Sequence, residues 1–468
     1  MKPSARIAMT AIERLAAASC QAAAGTAWHP RAAWHVLDWL GCAAHGATSA
    51  QGQAFARWLA LQAEGPHPTL AGRHADAAAA AAYHGALGSA LEMDDVHRSA
   101  ILHPGPVVIP AALAACGPHS TGAQLLGGVL AGYEAMVRMG RALGPSHYRL
   151  WHTTSTAGCF GAAAAAAAVL GLDEQHTAQA LALAGTRAGG LWQVRHEVSL
   201  GKAWHMAGAA RDGLAAAQLA RAGLTGPLGV LEGPSGWLAA TAPEGDAGLI
   251  DVGLDGAARV GSPDGAVVTS GRPWLADVSF KPWPACRHAH PAMDALRSAA
   301  QGRELTPNII DHIEVQTYAD ALRFCDSPHP TDPAQARFSI QHALAAWVTW
   351  GAPQLAHYAP EALGDAVVGA LRDRVSLHED AAIQARYPDH YGARVIIHWR
   401  DGSSAEANVT DTLGDPARPM SDQALRDKAR MLMREAGWAE DRIQAAQSAC
   451  LALPGAVDLD ALHQVFQA

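Results

Sequence analysis

The stretch from His84 to Ile109 concentrates ionisable side chains between apolar, alanine-rich flanks. It contains three carboxylates, three histidines and an arginine: Glu92, Asp94, Asp95, His84, His97, His103 and Arg98. An unpaired carboxylate is costly to bury, so such a cluster is usually either solvated or functional. The apolar flanks favour a functional cluster. The alternative is a solvated helix end whose acids pair with the neighbouring histidine and arginine.

His103 and His152 each precede a predicted helix. Near a helix N-terminus, free backbone N–H groups favour an anion. The residues after His152, Thr153 to Thr156, add four hydroxyls that could cradle a carboxylate, with Thr153 and Ser155 as candidate substrate ligands. Alternatively, His103 is a loop histidine bonded to a carbonyl, and the hydroxyls only cap their helix.

Two lysines lie in segments that could carry chemistry. Lysine occurs four times among 34 basic residues, so Lys202, in a Gly- and Ala-rich setting, suggests a specific ammonium group, although chance is the alternative. Lys281 opens a proline-stiffened segment with Arg287 and His290, which offer positive charge and an acid–base group. A His-x-His pair in that segment also raises zinc, but acids at metal spacing are absent nearby, so we predict no metal.

Composition narrows the class of protein. Of the 468 residues, 50% are hydrophobic and 16% are charged, which predicts a folded chain, and the net charge of −9 argues against nucleic acid or an anionic membrane as a partner. The seven cysteines are scattered, which argues against a cysteine-held cluster and fits a reducing cytoplasm. The first residues have the pattern of an amphipathic helix rather than a signal peptide. We predict a cytoplasmic protein.

Hydrophobic periodicity predicts a mostly α fold with two domains. Helices are predicted at 7–23, 32–47, 51–61, 75–91, 107–115, 122–143, 155–170, 173–188, 202–222, 340–350, 421–436 and 441–449. Strands are predicted at 309–318, 393–399 and 404–409, with Asp401–Gly402 as the hairpin turn. Residues 226–280 have the composition of loops. We therefore expect an all-α domain at 1–274 and 411–468, with an inserted α+β lid domain at 275–410.

Several segments, in order and spacing, resemble the MmgE/PrpD family over nearly the whole chain. They are HGALGSALEMDDVHRSAILHPGPVVIPAALA, GYEAMVRMGRALG, HTTSTAGCFGAAAAAAAVLGL, KAWHMAGAARDGLAAAQLARAGLTGP, KPWPACRHAHPAMDAL, ARFSIQHALA and PARPMSD. The family includes 2-methylcitrate dehydratase, cis-aconitate decarboxylase and iminodisuccinate epimerase. The resemblance implies the helical domain with its lid, a homodimer, and no metal or organic cofactor.

The resemblance also implies site residues. The site histidines of cis-aconitate decarboxylase correspond to His103, His152 and His290, and its lysine to Lys202. Its active-site aspartate falls on Glu92, and the family's Asp-Asp pair falls on Asp94 and Asp95. The substrates implied are small polycarboxylates, and the shared step is proton transfer at carbon next to a carboxylate.

We therefore expect a dehydratase-type lyase acting on an acid such as 2-methylcitrate. An isomerase or epimerase of a small dicarboxylate such as iminodisuccinate, a cis-aconitate-type decarboxylase, and a non-catalytic binding protein are the alternatives. The expected catalytic residues are His103, His152, Lys202, Asp94 and Glu92. The expected substrate-binding residues are His290, Lys281, Arg287, Thr153, Ser155 and Asp95.

Overall fold

The computed structural model describes residues 8–197, 199–254 and 272–467. The chain is mostly helical and divides into two compact units. The larger, which we call the helical unit, comprises residues 1–90, 100–278 and 422–468. The smaller, which we call the mixed unit, comprises residues 91–99 and 279–421.

The helical unit is built from helices around one core of small apolar side chains. Its helices are Ala11–Ala23, His29–Thr48, Ala50–Leu59, Ala77–Leu87, Gly105–Ala115, Gly122–Tyr148, Thr153–Val169, Glu174–Gly185, Gly201–Arg221, Trp237–Thr241, Asp422–Glu435, Glu440–Ala452 and Asp460–Gln467. In the part of the chain that is described, no helix combines the length and the apolar composition that crossing a bilayer requires.

Small residues set the distances between these helices. A Cβ added at Gly132 would lie 2.8 Å from the carbonyl oxygen of Gly161, and one added at Gly161 would lie 2.7 Å from Cβ of Met136. The helices Gly122–Tyr148 and Thr153–Val169 therefore approach as closely as their backbones allow. The alanine tracts have this same packing role, since nearly all of residues 162–167 are inaccessible to solvent.

The predicted helices of this unit are present, with ends that differ by a few residues. Asp173 caps Glu174–Gly185, with its side chain accepting a hydrogen bond from the N–H of His176. The helix that begins at Gly122 is interrupted directly after its predicted end at Leu143, because Gly144 has a φ of +69°, and a short further helical stretch reaches Tyr148. Ile7, the predicted start of the first helix, and residues 255–271 of the predicted loop region lie outside the described residues.

A four-stranded sheet forms one layer of the mixed unit. Its strands, in spatial order, are Val375–Glu379, Ile310–Thr317, Ala393–Trp399 and Ser404–Val409. The first pair is parallel, and the other two pairs are antiparallel. The predicted hairpin is present, with Ser404 opposite His398 and Gly402 at a φ of +83° in the turn.

Helices cover one face of this sheet. Alternate residues such as Ile313, Val315, Val395 and Ile397 are buried against the core of the unit, and the residues between them point to the other face. The helices are His290–Ala299, Ala319–Cys325, Pro333–Ala336, Ile340–Trp350, Pro360–Leu363, Ala366–Arg372 and Ala381–Gln384. Helix Ile340–Trp350 has the predicted bounds.

The boundaries of the units differ from the predicted domain boundaries. The predicted boundaries follow residues 274 and 410. In the structure, the chain enters the mixed unit after residue 278 and leaves it after residue 421. In addition, Leu91–Ser99 belongs to the mixed unit although both its flanks belong to the helical unit. This nine-residue segment contains Glu92, Asp94 and Asp95, so these three carboxylates belong to the mixed unit.

Candidate active site

The acidic segment lies beyond a helix rather than within one. The helix predicted to reach Leu91 ends at Leu87, and the residues that follow form turns. Two hydrogen bonds join Val96 to Ser279, from N–H to carbonyl oxygen in both directions, at 3.0 and 2.8 Å. The hydroxyl of Tyr391 donates to the carbonyl oxygen of Arg98 at 3.2 Å. These contacts hold the segment within the mixed unit.

Lys281 is placed by the backbone immediately before it. The N–H of Phe280 donates to the carbonyl oxygen of Gly414 at 3.1 Å. Gly414 has a φ of +95°, and a Cβ there would lie 2.0 Å from the carbonyl oxygen of Phe280, so only glycine allows this approach. Residues 279–281 are thus held between the acidic segment on one side and the Gly414 loop on the other.

Lys281 and two carboxylates form a buried charge cluster. Its Nζ lies 3.3 Å from Oε2 of Glu92 and 3.9 Å from Oδ1 of Asp94, and the lysine side chain has no exposed surface. Glu92, Asp94 and Asp95 are 6%, 2% and 3% exposed, so the solvated-helix-end interpretation is wrong. Glu92 also has a φ of +55°, a strained conformation of the kind that concentrates at functional sites.

A second charge network surrounds Asp415. Its carboxylate accepts from Arg287 at 2.5 Å and from the Ser279 hydroxyl at 2.6 Å, while Arg98 lies 3.9 Å away and bonds Asp411 at 3.1 Å. Burial raises the pKa of Asp415, but Arg287, Arg98 and the hydrogen bonds outweigh burial, so the net pKa is lowered. Asp415 therefore remains an anion that fixes the guanidinium of Arg287.

The two histidines of the proline-stiffened segment have different surroundings. His290 is fully buried, with Nε2 donating to the carbonyl oxygen of Ala285 at 3.1 Å and Nδ1 3.2 Å from Nη1 of Arg287. His288 bonds the Tyr318 hydroxyl through Nδ1 at 2.7 Å and lies among aromatic rings. His290 thus contacts the charged network that holds Arg287.

In the helical unit, the second predicted cluster surrounds the N-terminus of Thr153–Val169. His152 is the N-cap residue of this helix and is 1% exposed. Its ring lies over Trp192, with 4.2 Å between ring centroids, and its Nδ1 is 3.0 Å from Nδ1 of His205. His205 is therefore a direct partner of a predicted catalytic residue.

Lys202 belongs to the same cluster through the helix Gly201–Arg221. Lys202 and His205 are three residues apart on this helix, and so lie on one face near its start. Burial lowers the pKa of His205, and the positive charge of Lys202 lowers it further. The lowered pKa favours the neutral form of His205 next to His152, and a neutral imidazole can accept a hydrogen bond.

The hydroxyls after His152 have separate partners. Thr154 Oγ1 accepts from the backbone N–H of His103 at 3.2 Å, which joins the loop before helix Gly105–Ala115 to this helix start. Ser155 donates to the carbonyl oxygen of His205 at 3.2 Å. Thr153 Oγ1 is buried and has no hydrogen-bond partner among the described residues. None of these side chains caps the helix, so the capping interpretation is wrong and Thr153 retains a hydroxyl for a ligand.

The structure thus assembles two groups of the predicted residues. Glu92, Asp94 and Lys281 meet in the mixed unit, where Arg287 also contacts His290. In the helical unit, His152 and Ser155 both contact His205, which lies one helical turn after Lys202. The backbone N–H of His103 donates a hydrogen bond to Thr154. Asp95 is buried in the acidic segment.

Three members of these groups are not among the predicted site residues: His205, Asp415 and Arg98. His205 had a usable signal, its i, i+3 spacing from Lys202. Arg98 lay in the charged stretch, but its carboxylate partner could not be identified there. Asp415 lies 128 residues after the arginine it binds, so no local pattern identifies it.

These geometries suit proton transfer at a carbon beside a carboxylate. A neutral imidazole supported by a second one can accept a proton, and ammonium, guanidinium and N–H groups stabilise an enolate-like anion. Buried acids whose charge is balanced by lysine can deliver or hold a proton. Both groups therefore have the chemistry expected of acid–base catalysis on a polyanionic substrate.

Comparison with known proteins agrees with this chemistry. Residues 26–249 match the MmgE/PrpD N-terminal domain, and residues 283–453 match the MmgE/PrpD C-terminal domain. A cis-aconitate decarboxylase-like protein of Aspergillus oryzae is 27% identical over 413 residues, 82% of this chain and 81% of that protein. The cis-aconitate decarboxylase of Aspergillus terreus is 25% identical over 459 residues, 93% of this chain and 91% of the relative.

A relative with a different named reaction is also similar. The 2-methylcitrate dehydratase of Salmonella typhimurium is 29% identical over 298 residues, 60% of this chain and 56% of that enzyme. The named relatives therefore include both a decarboxylase and a dehydratase. Since both domains of the family match and together span most of its length, the chain is a member of the MmgE/PrpD family and an enzyme of that family.

Proposed function

We propose that the protein is a cofactor-independent lyase of the dehydratase type, acting on a small polycarboxylate such as 2-methylcitrate. The observation that carries this proposal is the 3.0 Å contact between His152 and His205, with Lys202 one turn away on the same helix. The histidine pair supplies a base for the carbon-bound proton. Lys202 supplies a cation for the carboxylate that acidifies this proton. The same pair also serves the alternatives named above, which the experiment below separates.

In this proposal His152 is the base, and His205 sets its tautomer. Burial and the charge of Lys202 keep His205 neutral, so His205 can accept a hydrogen bond at Nδ1. His152 then donates from its own Nδ1, so Nε2 is the ring nitrogen that carries the lone pair and can accept a proton. The Trp192 ring, with its centroid 4.2 Å from that of the imidazole and its plane tilted by 36°, restricts rotation of the imidazole.

The remaining residues stabilise the negative charge of the reacting substrate and protonate the leaving hydroxyl group. Lys202 binds the substrate carboxylate beside the acidic carbon and stabilises the enolate-like charge as the C–H proton passes to His152. The C–O bond to the hydroxyl group then breaks, a carbon–carbon double bond forms, and the oxygen leaves as water with a proton from an acid. Asp94 or Glu92 is our candidate for that acid, with Asp95, Arg287, Lys281, Thr153, Ser155, His103 and His290 as binding or positioning groups.

Decarboxylation is the second candidate, because two relatives that match over most of this chain are named a cis-aconitate decarboxylase-like protein and a cis-aconitate decarboxylase. In that reaction the C–C bond to a carboxylate breaks, CO2 leaves, and a proton is added to carbon. His152 or an acid would donate that proton rather than remove one. The same residues therefore serve either reaction, and the substrate decides between them.

The test is a screen of di- and tricarboxylates that follows three signals in parallel. Ultraviolet absorbance reports formation of a conjugated double bond, CO2 release reports decarboxylation, and deuterium uptake without either reports epimerisation. We expect double-bond formation without CO2 from a 2-methylcitrate-like acid, its loss in His152→Ala, and its persistence after exhaustive EDTA treatment. CO2 release would replace the dehydratase proposal with the decarboxylase. No turnover of any di- or tricarboxylate would contradict the proposed substrate class.

We further propose that the enzyme is a cytoplasmic homodimer. Several large apolar side chains of the helical unit are about half exposed, namely Leu150, Leu191, Leu200, Trp204 and Leu219. Exposed apolar side chains commonly mark protein–protein contacts where they form a contiguous patch. Light scattering after gel filtration at micromolar concentration should give twice the chain mass of 48.6 kDa, and a monomer would contradict the proposal.

A further inference from the structure

The face of the sheet that points away from the core of the mixed unit carries two histidines and a glutamate at one place. His312 and His398 are directly opposite each other on antiparallel strands, and Glu314 lies two residues after His312 on the same face. The two imidazole rings are stacked, with centroids 4.0 Å apart and an interplanar angle of 9°. None of these residues belongs to either charge group of the candidate active site.

The donor atoms of the three side chains converge. Oε1 of Glu314 lies 3.2 Å from Nε2 of His398 and 3.5 Å from Nε2 of His312, and all three donor atoms lie within 4.8 Å of one another. Ligands at about 2.0–2.1 Å from a tetrahedral zinc ion are about 3.3–3.4 Å apart. Both histidine–glutamate separations are therefore close to those of a zinc site.

The protonation states also suit a metal. The carboxylate of Asp311 can only accept, so Nδ1 of His312, 2.9 Å away, is the donor, and Nε2 is left with its lone pair toward Glu314. A carboxylate that orients a metal-binding histidine in this way is common in metal sites. Nε2 of His398 is shielded from solvent and forms no well-directed hydrogen bond within the described chain, despite its closeness to Glu314.

The surroundings leave the cluster open to an ion from solution. The side chains of His312, Glu314 and His398 are 42%, 34% and 33% exposed. Arg394, on the same face of its strand as His398, is paired with Glu406, so its charge is already balanced. The neighbouring positions across the sheet are Ser376, Ile396 and Ser404, which bring no further cation to the cluster.

We propose that His312, Glu314 and His398 form a binding site for a divalent transition-metal ion of the zinc type. The three side chains supply two nitrogens and one oxygen, and solvent completes the coordination. A bound ion would link strand Ile310–Thr317 to strand Ala393–Trp399 through side chains, in addition to their backbone hydrogen bonds. The site is independent of the proposed lyase chemistry, and the predicted resistance of activity to EDTA is unaffected by it.

The experiment uses the full chain without an affinity tag, stripped with EDTA and titrated with zinc chloride by calorimetry. We expect one zinc ion per chain, and visible absorption bands of tetrahedral cobalt when cobalt(II) is added instead. Glu314→Gln and His398→Gln should each weaken zinc binding by at least about tenfold, and Asp311→Asn by about ten- to a hundredfold. His176→Gln, which alters an exposed histidine–aspartate pair elsewhere, is the control and should bind zinc as the wild type does.

Folding of each variant is checked by its melting temperature in EDTA, which should equal that of the wild type because the altered side chains are partly exposed. Zinc should raise the melting temperature of the wild type and of His176→Gln, but not of Glu314→Gln or His398→Gln. The proposal is overturned if the wild type binds no zinc at millimolar concentration. It is equally overturned if the cluster variants and the control variant bind zinc alike.

Discussion

Nζ of Lys281 lies 3.3 Å from Oε2 of Glu92, and the lysine side chain is completely buried. A buried charge that loses its partner costs about 3–5 kcal/mol, whereas replacing both partners by neutral groups is often harmless. We therefore expect Lys281→Met alone to lower the melting temperature strongly, and Lys281→Met with Glu92→Gln to restore part of it. The measurement is thermal unfolding beside steady-state kinetics.

Activity separates a functional pair from a structural one in this experiment. If the pair belongs to the active site, the double variant regains stability and stays inactive. A double variant that regains both stability and turnover would show that the pair only holds the fold together. Asp94 loses its Lys281 counter-charge in both the single and the double variant, so it does not contribute to the difference between them.

His205 is expected to position His152 rather than to touch the substrate. Replacing it by Phe removes the acceptor for the Nδ1 proton of His152, and should lower kcat by about a hundredfold with little change in KM. His205→Gln restores an acceptor and should recover part of kcat. A variant with raised KM and unchanged kcat would instead make His205 a substrate-binding residue.

Lys202 is expected to bind the substrate carboxylate. A charge-assisted hydrogen bond of about 1.5–3 kcal/mol corresponds to about ten- to a hundredfold in kcat/KM, which Lys202→Ala should lose without a change in melting temperature. Lys202→Arg should recover only part, because the planar guanidinium does not replace a compact ammonium. Arg221→Ala removes a positive charge from the last turn of the same helix and should leave activity unchanged. A large drop in the melting temperature of Lys202→Ala would make the lysine a structural residue.

His84 should make stability depend on pH. Burial, helped by His67, lowers its pKa from 6.5 to about 3, and its Nε2 accepts a hydrogen bond from the N–H of Leu70 at 3.2 Å. Between those pH values the unfolded chain binds a proton here and the folded chain does not, so the free energy of unfolding falls as the pH falls. The contribution is about 1.4 kcal/mol per pH unit, lost progressively below pH 6.5.

The measurement is urea unfolding at several pH values between 6.5 and 4.5. His84→Gln keeps an acceptor for Leu70 but cannot titrate, so its stability should vary less with pH than that of the wild type. His176→Gln, at an exposed position, should keep the wild-type slope. Equal slopes in the wild type and in His84→Gln would show that His84 is protonated in the folded chain.

The helices and the antiparallel strands could be predicted because their signals are local. The 3.6-residue period of the helical unit, the alternation in Ala393–Trp399 and the Asp401–Gly402 turn need no knowledge of distant residues. The strand Val375–Glu379 was missed because it is only five residues long, so its apolar–polar alternation is short. Its place in the sheet depends on pairing with a strand about sixty residues earlier.

The candidate site could be predicted only in part, for a related reason. The residues of the acidic stretch were visible as a cluster, but their lysine partner lies 189 residues later. His312 and His398 are 86 positions apart in the sequence, so the zinc-type cluster can be recognised only when the register of their strands is known. Spacing along the chain identifies a site only when its members come from one element.

The path of Leu91–Ser99 limits how this enzyme can be recombined with its relatives. The chain passes between the two units after residues 90, 99, 278 and 421, so no single junction separates them. A chimera that takes only residues 279–421 from a relative would contain the relative's residue at position 281. That residue would face Glu92 and Asp94 of the present chain. Transplanting the mixed unit therefore requires two donor segments, one of them nine residues long. Libraries built by single crossovers at the domain boundaries would separate the lysine from its counter-charges.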